Sequence, residues 1–179
     1  TLYWTFYLVN ENLQDTNDWP KSNSLLKKFI DRKYSGTTLT ASSSTDIVSY
    51  NHDTNVSSKF LLGEKVSVPN GAFGFITKVD PTFNRIIINS RSGSIESGVV
   101  VTGEKSSKSF TISSVAAEKD TVKHYLDSNN LRTLSSSGNT PVSFEEHERS
   151  ENEDKTLIRY IQPKYINQVV KEFIELVRD

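Results

Sequence analysis

The chain has 179 residues, and its 21 Lys and Arg nearly balance its 22 Asp and Glu to give a formal charge of −1 at pH 7. This length supplies a core for one ordinary domain or two small ones without a covalent staple. The absence of Cys excludes disulfide frameworks and thiolate metal sites. The balanced charge disfavours bulk attraction to nucleic acid or acidic lipid, and no apolar run reaches the roughly 18 residues of a membrane span.

Residues 1–34 are predicted to be helical. The stretch from Leu2 to Val9 is almost uniformly apolar and aromatic, which indicates a short buried helix. Pro20 then stands where a second helix can begin, and Ser35-Gly36 ends its apolar repeat. The apolar positions of this second helix are Leu25, Leu26, Phe29, Ile30 and Tyr34. Trp19, next to Pro20 and between charged neighbours, is a candidate contact for a partner.

The chain begins at Thr1 within this apolar pattern and carries no initiator Met. We therefore expect the native protein to have upstream residues. An intact mass above 20.2 kDa would support this expectation, and a mass equal to 20.2 kDa would refute it.

The middle of the chain is predicted to be a polar excursion followed by a small barrel. Half of residues 35–58 are Ser or Thr without a sustained period, so this segment is expected to be a long exposed excursion or irregular strand pairing that buries little, with one short strand suggested by Ile47, Val48 and Tyr50. Residues 59–115 change to short β-type runs cut by Gly, Pro and Asn, which is typical of a small β-barrel-like domain. The runs are Val66–Val68, Gly74–Val79, Arg85–Asn89, Gly98–Thr102 and Phe110–Val115.

The last part of the chain is predicted to begin as a polar connection and to end as a strand and a helix. Residues 116–156 are mostly polar and include an acidic stretch from Glu145 to Asp154. Within residues 157–179, Leu157 to Ile161 is typical of a strand, and Pro163 opens an amphipathic helix. Its apolar positions are Ile166, Val169, Val170, Phe173 and Val177. The fold class predicted for the whole chain is α+β.

Few residues indicate chemistry. His52, His124 and His147 lie in different polar segments without metal-ligand spacing, which favours surface histidines. The run Glu145–Glu148 suits a solvated face better than acid–base catalysis, because no apolar pocket is indicated around it. No Gly-x-Ser-x-Gly elbow or phosphate-binding loop occurs. The sequence therefore predicts no catalytic residue, no metal ligand and no cofactor.

The aromatic residues of the predicted barrel allow two interpretations. Phe73, Phe75 and Phe83, with Lys78 and Arg85, are the residue types that stack and neutralise single-stranded nucleic acid. A core role is favoured, because a small barrel has few other large side chains to bury.

Two separated segments resemble one family. Leu2-Tyr3-Trp4-Thr5-Phe6-Tyr7-Leu8-Val9-Asn10, Asp18-Trp19-Pro20 and the helix to Lys33-Tyr34 resemble the LysM-like segment of the wedge-cementing subunit of contractile phage tail baseplates. Ile158-Arg159-Tyr160-Ile161-Gln162-Pro163-Lys164-Tyr165 and the helix that follows resemble the C-terminus of the same family. The strand and first helix of a complete LysM motif do not precede Leu2.

The resemblance implies a non-enzymatic structural protein of the virion, located in the tail baseplate and assembled in the bacterial cytoplasm. It implies that the subunit joins adjacent wedges into a ring around the hub, and that its partners are other wedge proteins and the sheath initiator rather than nucleic acid or membrane. The candidate partner contacts are Trp19, Pro20, Tyr160, Tyr165 and Phe173. Two alternatives stay open, a LysM-type peptidoglycan-binding module and a small nucleic-acid-binding barrel.

Overall fold

The computed structural model describes residues 19–43, 60–156 and 163–178. Within these ranges the chain forms three α-helices and nine β-strands, which confirms the predicted α+β class. The chain divides into two compact units. One unit comprises Thr1–Leu26 and Arg149–Asp179, and the other comprises Lys27–Glu148.

The helices and strands have the following bounds. The helices are α1 (Asn23–Lys33), α2 (Phe144–Asp154) and α3 (Pro163–Arg178). The strands are β1 (Thr37–Ala41), β2 (Lys65–Ser67), β3 (Phe73–Asp80), β4 (Arg85–Ser92), β5 (Val100–Gly103), β6 (Ser109–Ala117), β7 (Val122–Leu126), β8 (Arg132–Thr133) and β9 (Thr140–Ser143). Helices α1 and α3 were both predicted, and α1 begins three residues after Pro20.

The first six strands form a closed antiparallel barrel in the order β1-β4-β3-β2-β5-β6, with β6 pairing back onto β1. Side chains alternate across each strand, so every second residue points inward. The apolar core consists of Leu39, Ala41, Phe60, Val66, Val68, Ala72, Ile76, Ile86, Ile88, Ile95, Val101, Phe110 and Ile112. Closing the ring pairs both edges of each strand with a neighbour, which protects the backbone groups that an open sheet would expose.

Strand β1 lies inside the segment that was expected to be an exposed excursion. Leu39 pairs with Ile86 on one side and Val115 on the other, and its side chain is fully buried. The expectation of exposure was therefore wrong for Thr37–Ala41, whereas the alternative of irregular strand pairing fits β1, whose register with β6 shifts between Thr40 and Ala41. Thr is polar but β-branched, so a Thr-rich run favours a strand when neighbours supply pairing on both edges. The short strand suggested by Ile47, Val48 and Tyr50 lies outside the described residues.

The prediction of a polar connection over residues 116–156 is also wrong, because most of these residues lie in strands, 3-10 turns or helix α2. Strand β7 lies between β8 and β9 in a three-stranded antiparallel sheet, and β9 runs directly into α2. Ser143 and Glu146 form a capping box at the start of α2. The Glu146 amide donates to Ser143 Oγ at 3.1 Å, and the Ser143 amide donates to Glu146 Oε2 at 2.8 Å. The Ser143 amide, and then the Ser143 hydroxyl that donates to Glu146 Oε2 at 2.9 Å, hold the pKa of Glu146 below its usual range.

Three further sequence predictions lie outside the described residues, namely the helix from Leu2 to Val9, the LysM-like character of that segment, and the strand from Leu157 to Ile161. Among the helices of the described ranges, none is long and apolar enough to cross a membrane.

Candidate functional site

The unit formed by residues 1–26 and 149–179 contains all five predicted partner contacts. The side chains of Trp19 and Tyr165 are 43% and 49% exposed, and Pro20 is half-buried. Tyr160 lies outside the described residues, as does the side chain of Phe173, although its backbone belongs to α3. Trp19 and Tyr165 are therefore accessible to another molecule, and their role in binding stays a prediction.

Two reciprocal hydrogen bonds fix the backbone beside Trp19 within this unit. The Lys21 amide donates to Asn152 Oδ1 at 2.7 Å, and Asn152 Nδ2 donates to the Lys21 carbonyl at 3.1 Å. The Asn152 side chain thereby satisfies the backbone N–H and C=O of Lys21, which lies outside helix and sheet. This contact joins residues 131 positions apart, and no sequence pattern indicated it.

One face of α3 carries an apolar stripe that we call the α3 stripe, formed by Ile166, Val169 and Val170. All three are half-buried, and the flanking Ile174 is 51% exposed. None of the α3 side chains that the structure describes is buried. Helices of globular proteins normally place such a stripe against a core. The stripe is therefore largely covered within the chain and reaches water only in part, and apolar surface that stays exposed is common where another protein binds.

The outer face of the barrel carries a second group of apolar side chains. Phe73 and Phe75 stand at alternate positions of β3 and meet edge to face, with ring centroids 6.0 Å apart. Phe75 is 40% exposed. Lys65 Nζ lies 4.8 Å from the Phe73 ring centroid and 2.6 Å from Glu104 Oε1. The core interpretation is therefore wrong for Phe75, because β3 turns Gly74 and Ile76 inward instead.

Arg85 and Phe83 of the suggested nucleic-acid platform serve packing, whereas Lys78 is exposed. Arg85 is buried, and its Nε and Nη2 donate to Asp80 Oδ2 at 3.1 and 2.9 Å. Its Nη2 also donates to the Val122 carbonyl at 2.7 Å, which ties the barrel to the start of β7. The Arg85 guanidinium lies 4.5 Å from the Phe83 ring centroid. A buried guanidinium with these partners stabilises the fold and is not placed to bind a phosphate.

Glu148 on α2 is the centre of a polar cluster. Its Oε1 accepts hydrogen bonds from Tyr34 Oη at 2.6 Å and from Lys33 Nζ at 2.8 Å. Burial raises the pKa of the Glu148 carboxyl, but the bonds from Lys33 and Tyr34 outweigh burial and hold it below its usual range. Burial and then the bond to Glu148 raise the pKa of the Tyr34 hydroxyl. Tyr34 also packs on Phe144, 4.8 Å between centroids, so the cluster fixes α2 against the end of α1.

His124 and His147 contradict the prediction of surface histidines. Each is 8% exposed, and their rings meet at 5.4 Å between centroids with planes 88° apart. The two residues lie 23 positions apart in sequence and come together because β9, which pairs with β7, runs directly into α2. Burial, then the charges of Arg132 and Lys123, hold the pKa of His124 below its ordinary value of 6.5. His52 lies outside the described residues.

Glu64 is a buried carboxylate that sequence reasoning missed. It is 1% exposed and lies in the turn before β2. Its Oε1 accepts from the Leu61 amide at 2.6 Å and the Ser106 hydroxyl at 2.9 Å. Its Oε2 accepts from the Lys105 amide at 3.2 Å and the Ser106 amide at 3.0 Å. Four donors match the acceptor capacity of an ionised carboxylate, so Glu64 pins the β5–β6 turn to the start of β2.

The described residues hold no group of three or more His, Asp or Glu side chains arranged to bind a metal ion. No protein-family model matches the chain, and comparisons with curated proteins and with solved structures found no match. Function is therefore inferred from the surfaces of this chain and from the resemblance of its two ends.

Proposed function

We propose that this chain is a non-enzymatic structural subunit of a contractile phage tail baseplate, which joins adjacent wedges into a ring around the hub through protein–protein contacts. The observation that carries the proposal is the α3 stripe. Burying one aliphatic side chain of this size contributes about 1.5–3 kcal/mol relative to leaving it in water. A neighbouring subunit that covers Ile166, Val169 and Val170 gains part of that free energy.

The exposed aromatic residues support the same proposal. Trp19 and Tyr165 lie in the two segments that resemble the wedge-cementing family, and both are accessible. Trp and Tyr are enriched among the residues that dominate binding energy at protein interfaces. The proposed partners are adjacent wedges, other wedge proteins and the sheath initiator, and the proposed location is the virion tail baseplate, assembled in the host cytoplasm.

Val169→Asp is expected to weaken the association of the chain with its wedge partners by tenfold or more. The substitution places a charge in the centre of the α3 stripe, and a buried unpaired charge costs several kcal/mol at an interface. The measurement is co-purification and ring formation with the wedge proteins of the parent particle, quantified by size-exclusion chromatography and electron microscopy. Deleting the helix from Pro163 onward is expected to abolish the rings.

The matched control is Gln168→Asp, which introduces the same residue one position away on the polar face of α3. Gln168 is exposed and its Nε2 donates to Glu172, so the control is expected to assemble as the wild type does. Normal rings formed by Val169→Asp or by the chain lacking α3 would contradict the proposal. Unchanged far-UV circular dichroism and an unchanged urea midpoint of the whole chain would show that Val169→Asp folds as the wild type does and differs only in assembly.

Phe75 favours one second candidate function, the binding of single-stranded nucleic acid on the outer face of β3. An exposed ring beside Phe73 and Lys65 offers a stacking surface with a nearby cation. Such binding falls steeply as salt rises from about 50 to about 200 mM. A labelled oligonucleotide that binds at low salt, weakens with salt and is released by Phe75→Ala would support this candidate, whereas no binding at low salt would remove it.

A further inference from the structure

We propose that His124 and His147 form an acid-sensitive contact, which holds α2 on the β7–β9 sheet at neutral pH and releases it as the pH falls toward about 5. The contact lies within the Lys27–Glu148 unit and is independent of the proposed assembly role. It rests on the placement of two imidazole rings against each other inside the fold.

The geometry makes the pair sensitive to charge. His124 stands on β7 opposite Val142 of β9, and His147 stands in the first turns of α2, which β9 enters directly. At 5.4 Å between centroids and 8% exposure each, the rings share one water-poor space. The edge-to-face arrangement suits two neutral rings. Two imidazolium rings at this separation repel each other with little solvent to screen them.

The surrounding charges on the sheet side are cationic. Lys123 on β7 and Arg132 on β8 act on His124, and β9 carries no ionisable side chain. A proton on His124 therefore adds positive charge to a positive neighbourhood.

The helix side is acidic, and its carboxylates are already engaged in interactions. The charged residues of α2 within four positions of His147 are Glu145, Glu146, Glu148, Arg149 and Glu151. Glu146 accepts from the Ser143 amide and hydroxyl at the capping box. Glu148 accepts from Lys33 and Tyr34 of the α1 side. Both bonded carboxylates stabilise the helix start and its packing at neutral pH, where the histidine contact is also intact.

The direction of the pH effect follows from proton binding. The pKa of His124 lies below its ordinary 6.5 in the folded state, so the opened state binds more protons in the window below 6.5. The stabilisation is complete above that window and is lost as the pH falls through it. For each histidine that is protonated only on opening, the open population rises by up to about tenfold per pH unit. Because two protonated rings repel each other, binding of a second proton also favours the opened state.

Amide hydrogen exchange between about pH 7.5 and pH 5, corrected for the intrinsic rate, tests the proposal. We expect the opening constant of α2, β7 and β9 to rise tenfold or more as the pH falls, while that of barrel strands β3 and β4 changes little. The double variant His124→Gln/His147→Gln is expected to lose this rise. His52→Gln removes the third histidine of the chain and is expected to keep it.

An α2 that stays equally protected at both pH values would overturn the proposal, as would a double variant that retains the full rise. If the double variant does not fold, NMR titration of the wild-type imidazoles decides the matter. Titration of His124 and His147 that coincides with the opening of α2 supports the contact, whereas titration of both rings without any opening refutes it.

Discussion

Glu64→Ala is expected to lower the free energy of unfolding of the barrel unit by about 3–5 kcal/mol, because each buried donor left unsatisfied costs about 1–3 kcal/mol. The substitution removes the acceptor of the Leu61, Lys105 and Ser106 amides and of the Ser106 hydroxyl. Water that enters the vacated space can restore part of this loss, which sets the lower end of the range. The measurement is urea unfolding monitored by far-UV circular dichroism.

Two further variants separate the buried carboxylate from a general effect of losing a Glu. Glu104→Ala removes an exposed carboxylate from the β5–β6 turn that Glu64 holds, where Glu104 Oε1 lies 2.6 Å from Lys65 Nζ, and is expected to cost less than about 1 kcal/mol. Glu64→Gln keeps one acceptor oxygen and replaces the other by a donor, so its cost is expected to lie between the two. A loss below about 1 kcal/mol for Glu64→Ala would show that the four bonds do not hold the turn.

Leu39→Ala is expected to lower the free energy of unfolding by about 2–5 kcal/mol, the usual cost of deleting a fully buried leucine side chain. Leu39 is 0% exposed in the centre of β1, the strand that pairs with both β4 and β6 and so closes the barrel. Urea unfolding measures the loss as a lower midpoint at unchanged slope.

Val100→Ala is the matched control for Leu39→Ala. Val100 stands in strand β5 of the same barrel, but its side chain is 42% exposed, so truncation is expected to cost less than about 1 kcal/mol. Equal losses for the two variants would contradict the placement of β1 as a buried strand of the ring.

Local patterns were sufficient for much of the fold. The five predicted β-type runs overlap β2 to β6, because alternating apolar residues and turn residues are recognisable within short stretches of sequence. The apolar repeats of α1 and α3, with Pro20 and Pro163 near their starts, likewise specified both helices. These signals depend only on neighbours within a few residues.

The elements that were missed had weaker or misread local signals. Strand β1 was hidden by its threonines, whose hydroxyls suggested exposure although their branching favours β-structure. Helix α2 was hidden by its acidic composition, yet Ser143 and Glu146 have the spacing of a capping box, and this signal was present in the sequence. A search for caps within acidic runs would have found it.

The contacts between distant residues were beyond a single sequence. Glu64 and Ser106 are 42 positions apart, and no local pattern indicates that one accepts from the other. The same holds for the pairing of His124 with His147. Phe75 was assigned to the core from composition alone, but isoleucines fill the barrel and leave the ring outside. Trp19 is accessible, in line with its polar neighbours and Pro20, but its role as a partner contact stays a prediction.

Electron microscopy of the intact parent particle, with this chain located in the density, tests the central claim most directly. The proposed function predicts that the chain lies in a contractile tail baseplate, in copies that follow the rotational symmetry around the hub, with Val169 and Val170 of α3 covered by a neighbouring subunit. A chain found on a cell-wall fraction or on nucleic acid, or a tail without it, would contradict the assembly role.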